Sequence, residues 1–147
     1  MCNFLSASKQ NSSREKKKAQ TSMELVLNIP KVPISLNRVL RLHWAKRRKL
    51  QKQWDKQVWA CFFHLEPHLR QQFSGKVEIH LEYHFRSSQV RDMDNFTPKI
   101  ILDALKNQHI IRDDSERWCT SDWKIITGSD REYTVIIIRE IGTDDDE

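Results

Sequence analysis

Between residues 76 and 85 the chain alternates without a break: Val77, Ile79, Leu81, Tyr83 and Phe85 against Lys76, Glu78, His80, Glu82 and His84. A strand turns successive side chains to opposite faces, so this run must lay one face of a sheet on a core and keep the other polar. A second alternation, Leu25, Leu27 and Ile29 against Glu24, Val26 and Asn28, closes at Pro30 and Pro33 and reads as another strand. From about residue 41 to 65 the period becomes helical. Leu50, Trp54, Val58, Cys61, Phe62 and Leu65 share one face, and Pro67 bars continuation. A second helix is predicted over roughly residues 97–107. Residues 123–127, a Gly128-Ser129-Asp130 turn and residues 133–139 read as a closing hairpin. Strands and helices do not alternate regularly, so the expected class is α+β, a small mixed or antiparallel sheet packed with two main helices.

A chain of 147 residues has room for one domain with a core. That domain is placed at residues 23–143, between a basic arm of residues 1–22, expected to be disordered, and an acidic tail of residues 144–147. No apolar run approaches the roughly 18 residues that span a bilayer, and the start lacks a secretory pattern, so a cytoplasmic location is expected. Cys2, Cys61 and Cys119 are odd in number and form no CxxC pair, which argues against a disulfide framework or a zinc knuckle. His64 and His68 are four apart, but Pro67 interrupts the helix between them, and His80 and His84 lie too far apart on a strand to chelate without a third group, so no zinc is assigned; His109 is read as covering rather than chemical. The net charge of +5 and a pI near 9.2 favour an anionic partner, nucleic acid first.

Chemistry concentrates after the strongest strand, in Arg91-Asp92-Met93-Asp94-Asn95. In extended chain, residues two apart face the same side, so Asp92 and Asp94 are expected to look at one point. Pro98 prevents a helix capped by Asp94, so the helix is predicted to begin at Asn95 or Thr97. Residues 108–114 are long enough, if extended, to run back beside that helix and return Asp113 or Asp114 to the same side. Carboxylates gathered in one cleft repel unless a cation sits among them, and Mg²⁺ prefers oxygen ligands. Lys99 adds a positive charge for an oxyanion, and the set suits phosphodiester hydrolysis. The same pattern is also that of an ordinary turn, cap and loop.

These segments, taken together, resemble the RusA-like crossover junction (Holliday junction) endodeoxyribonucleases of bacteria and their phages. The resemblance runs through Asp92-Met93-Asp94-Asn95, Lys99, Leu102-Asp103-Ala104-Leu105 and the stretch from Ile110 to Asp114, with Pro33-Ile34-Ser35-Leu36-Asn37-Arg38 upstream. It covers roughly residues 24–140. It implies that Asp92, Asp94 and Asp114 bind Mg²⁺, that Lys99 is the catalytic lysine, and that the protein resolves four-way DNA junctions as a homodimer making two symmetric nicks. One departure is that Phe96, Thr97 and Pro98 put one residue more between Asn95 and Lys99 than the best-known member has. Asp103 is read as a structural helix residue and Asp113 as a loop carboxylate.

Arg38, Arg41, Lys46, Arg47, Arg48, Lys49, Lys52 and Lys56 place a positive field on the first helix and its entry, opposed locally by Asp55. Arg38, Arg41, Arg47, Arg48, Lys49 and Arg91 are the candidate DNA contacts. Trp54 and Trp59 are assigned to the core. The competing functional readings are a less selective nuclease for flaps or single strands and a noncatalytic DNA-binding module.

Overall fold

The computed structural model describes residues 24–141. The predicted basic arm and acidic tail lie outside the described residues. Four strands and three α-helices follow in the order β1 (Glu24–Ile29), α1 (Leu36–Arg41), α2 (Trp44–His64), β2 (Val77–His84), α3 (Lys99–Asn107), β3 (Cys119–Ile126) and β4 (Tyr133–Glu140). Short 3₁₀ turns sit at Pro67–Leu69 and Met93–Asn95. The class is α+β with a mixed sheet, as expected. The alternating residues of β1 and β2 are buried as the pattern demands, and Trp54, Val58 and Phe62 of α2 join Ile101, Leu102, Ala104 and Leu105 of α3 over that face. Leu50, Cys61 and Leu65 pack at the margin of the same core.

Three expectations are corrected. The long helix forms but starts at Trp44, and a short helix not expected from the sequence, Leu36–Arg41, precedes it: Leu42 leaves helical conformation and the His43 side chain accepts from the Ala45 N–H, capping α2. The second helix starts at Lys99, because Pro98 takes its N-cap position and the preceding residues form their own 3₁₀ turn. The closing hairpin does not form.

The sheet order is β1-β4-β2-β3, with β4 antiparallel to both neighbours and β3 parallel to β2. The six residues between β3 and β4 pass over the end of β2, where Phe85 donates to the Ile126 carbonyl at 2.8 Å and accepts from the Ser129 N–H at 3.0 Å. Gly128, at φ 78°, takes the left-handed conformation that lets this crossing bend. The physical reason for the order lies in β4. Thr134, Ile136 and Ile138 are buried on one face while Val135 and Ile137 supply apolar, half-buried side chains on the other. Such a strand suits the middle of a sheet, whereas β3 exposes Thr120, Asp122 and Lys124 and suits an edge. A parallel pair needs a crossover, and α3 provides it between β2 and β3.

Candidate active site

The crossover delivers the acidic segment to one corner of the domain. Asp92 Oδ1 accepts from the Asp94 N–H at 3.1 Å, so the first aspartate caps the 3₁₀ turn that carries the second. Four contacts pin this turn. Trp123 Nε1 donates to the Met93 carbonyl at 3.1 Å, Tyr83 Oη donates to the Thr97 carbonyl at 3.2 Å, and Phe96 meets Phe85 edge-on at 5.3 Å. The fourth reaches across the chain: the Asn37 N–H donates to Asn95 Oδ1 at 3.0 Å. Ser35 caps α1 through the Arg38 N–H, so the Ser-x-Asn-Arg segment is held directly against the Asp-x-Asp-Asn segment.

Along α3 a second group forms. Lys99 Nζ lies 3.1 Å from Asp103 Oδ1, one helical turn on, and 3.6 Å from Asp114 Oδ2. Lys106 Nζ lies 3.4 Å from Asp114 Oδ1 and 3.9 Å from Asp113 Oδ1. Asp114 therefore lies over α3, between Lys99 and Lys106. It arrives by a turn rather than by an extended run. His109, at φ 60°, closes α3 with its N–H on the Lys106 carbonyl, and the Ile110 N–H bonds the Leu105 carbonyl. The burial of Ile110 and Ile111 then anchors the segment that carries Asp113 and Asp114.

Asp103 and Asp114 both pair with Lys99, so the two carboxyls face each other across one ammonium. Burial, and then the neighbouring Asp114, push the Asp103 carboxyl above its ordinary value. Burial pushes Asp114 the same way, but the hydrogen bond from Asp103 and the charge of Lys106 outweigh it and hold Asp114 below the usual range. The two carboxyls are thus displaced in opposite directions, Asp103 up and Asp114 down. Lys99 is raised, first by its hydrogen bond to Asp103. Its side chain is 72% exposed, so the ammonium stays within reach of a polyanion.

The carboxylates thus stand in two groups, Asp92 with Asp94 on the turn and Asp103, Asp113 and Asp114 along α3. Among the described residues, no three His, Cys, Asp or Glu side chains converge as a closed metal cage. The donor chemistry nonetheless suits Mg²⁺. The set is all carboxylate oxygen, and this ion commonly keeps several waters and takes only one or two carboxylates besides phosphate oxygens.

Of the predicted DNA contacts, Arg38, Arg41, Arg47, Arg48 and Lys49 are exposed, and none makes an ion pair among the described residues. Arg91 differs. Its guanidinium lies 4.0 Å from the centre of the Phe85 ring and donates to the Ser87 and Gln89 carbonyls, so it braces its own loop. Trp54 is buried, as expected, with Lys31 over its ring at 4.6 Å. Trp59 is not: it is 43% exposed, a correction treated below. The sequence reading missed the pairing of Asp103 with Asp114 and the part of Lys106. The signal was present in the spacing, since positions 99, 103 and 106 share one helix face.

No family model matches the chain, and no curated protein matches it. Among the described residues no helix is long and apolar enough to cross a membrane.

Proposed function

We propose that the chain is a RusA-like, Mg²⁺-dependent endodeoxyribonuclease that hydrolyses phosphodiesters in branched DNA, four-way junctions foremost, as a homodimer. The observation that carries this reading is the return of Asp114 to 3.6 Å from Lys99, on the helix that begins just after the Asp92 and Asp94 turn. Lys99 and Asp114 are fifteen residues apart in sequence, so their approach depends on the turn that brings the chain back beside α3.

Asp92 and Asp94 on their turn, and Asp114 beside Lys99, are the carboxylates that would supply oxygens to Mg²⁺, one or two to an ion with water and phosphate completing its shell. Bound there, Mg²⁺ supplies Lewis acidity toward the phosphate and neutralises part of its charge. The chain's own residues do the rest. Lys99 presents its ammonium to the non-bridging oxygens of the scissile phosphate, where negative charge grows during in-line displacement. Asp103, by accepting from Lys99 at 3.1 Å, aims that ammonium. Arg38 and Arg41 on α1 and Arg47, Arg48 and Lys49 on α2 hold phosphates beside the site. Two protomers related by a two-fold axis would place two such sites on opposite arms, as paired nicking requires.

Comparing linear duplex, flap and four-way substrates tests the substrate class. Cleavage confined to the four-way junction supports the reading, and equal cleavage of flaps shifts it to the less selective nuclease. A noncatalytic DNA-binding module is favoured by one observation, that Lys99 and Lys106 already satisfy Asp114. Binding that ignores Mg²⁺ and yields no product would establish that alternative.

A further inference from the structure

The outer face of α2 carries a stripe of which the proposed function uses only the first residue, Arg48. Arg48, Lys52, Lys56, Trp59 and Phe63 follow at intervals of four, four, three and four residues, so they form one row on the helix, about 22 Å long at about 1.5 Å per residue. All five are exposed. The cations come first and the aromatic rings last.

The rings are organised. Trp59 and Phe63 stack at 5.0 Å between centroids and remain 43% and 52% exposed. The Arg70 guanidinium lies 4.4 Å from the centre of the Phe63 ring and is itself tied down, donating to the Leu65 carbonyl at 2.9 Å and the Phe63 carbonyl at 2.8 Å. Trp59 also meets the buried Phe62 ring at 6.3 Å, yet both Trp59 and Phe63 keep about half their surface in water, more apolar ring surface than the core requires to be left open. Charge points to the occupant. The only acid on α2, Asp55, is turned toward α3, where Asn107 donates to it at 3.1 Å. None of the cations of the stripe has an acidic partner among the described residues. A surface that is cationic along one half and offers flat π-faces along the other complements a strand with charged backbone and unpaired bases. A paired duplex offers the charge but hides the base faces.

We infer that this face of α2 binds single-stranded DNA, with phosphates along Arg48, Lys52 and Lys56 and bases stacked on Trp59 and Phe63. The inference rests on the reading of the chain as a DNA-binding protein but not on cleavage. A less compact junction or a gapped arm would supply such a strand.

The test is fluorescence anisotropy of a labelled oligo(dT), an abasic strand of equal length and a four-way junction, in EDTA, with the full chain. The expected result is that oligo(dT) binds more tightly than the abasic strand. Phe63→Ala should weaken oligo(dT) by about 5- to 150-fold, the usual worth of one stacked base, and Phe63→Tyr should restore it. Lys52→Gln with Lys56→Gln should flatten the salt dependence by about 0.7 per charge removed. Equal binding of oligo(dT) and the abasic strand, or an unchanged Phe63→Ala, overturns the inference even where junction binding persists. Failure to bind any of the three DNAs overturns the wider reading as well. Sedimentation showing self-association that Phe63→Ala abolishes, with oligo(dT) binding intact, also overturns it, since the rings would then serve a second copy.

Discussion

Lys99 does its proposed work through an ammonium that is mostly in water, so its loss should be felt in chemistry and hardly in folding. An exposed ion pair contributes about 0–1 kcal/mol, whereas removing one donor from a developing oxyanion costs about 10²–10³ in rate. Lys99→Met is therefore expected to cut single-turnover cleavage about 100-fold or more, with junction affinity and melting temperature nearly unchanged. A melting temperature that falls while the rate holds would reassign Lys99 to structure. Cys119 gives a second residue-level check. Burial first, then the nearby Asp114 and Asp113, push its thiol up to about 11 from 9.0. A raised value means that the group stabilises the fold fully below pH 9 and that this contribution is lost as pH rises toward 11. Iodoacetamide at pH 8 should leave Cys119 unmodified in the native chain and alkylate it after denaturation, as peptide mass spectrometry would read out. These features were only partly legible beforehand. The aspartates and Lys99 announce themselves by type and spacing, but the meeting of Asp103 and Asp114 at Lys99 depends on a chain return that spacing permits without dictating. Trp59 was misassigned because an aromatic beside apolar neighbours looks alike on either side of a helix edge.

At the scale of elements, alternation reports which side of a strand faces the core and says nothing about which strand lies beside it. That is why β1, β2 and the buried row of α2 were readable, while the position of β4 between β1 and β2 was not. The clue was the apolar character of both its faces, which a hairpin edge does not need. The start of α3 was obscured similarly, because the Asp92-capped turn and the Pro98 N-cap consume residues that the helical pattern would have claimed. Its end has a distinct signature. His109 occupies the left-handed position that glycine usually fills in this closing motif, with Ile110 packed into the core behind it. His109→Gly is expected to stabilise the domain by about 0.5–1 kcal/mol, about 2–5 °C in melting temperature, measured by calorimetry. A lower melting temperature would mean that the imidazole contributes a contact outweighing backbone strain. Hydrogen exchange should separate the strands too: amides of β2 and β4, hydrogen-bonded on both sides, are expected to be the slowest, and those of β1 and β3 faster.

Across the whole molecule, charge is sorted by place. Carboxylates collect where the β2 to β3 crossover begins and ends, and cations collect on α1 and α2, which the Asn37 to Asn95 hydrogen bond holds against that corner. Under the proposed reading, a polyanion drawn to the cationic helices would be carried to the acidic group, where a divalent cation would reconcile like charges. Junction binding should weaken steeply with salt, by close to one power of salt concentration for each phosphate neutralised, and a flat response would remove the basic helices from the account. The most direct test of the central claim is to incubate the wild-type chain and Asp94→Asn with a labelled immobile four-way junction, in Mg²⁺ or in EDTA, scoring both retardation and nicks. The account predicts paired symmetric nicks from the wild type in Mg²⁺ alone, and retardation without nicks from Asp94→Asn. Nicks of equal yield from both proteins, or retardation without nicks from both in Mg²⁺, would contradict it.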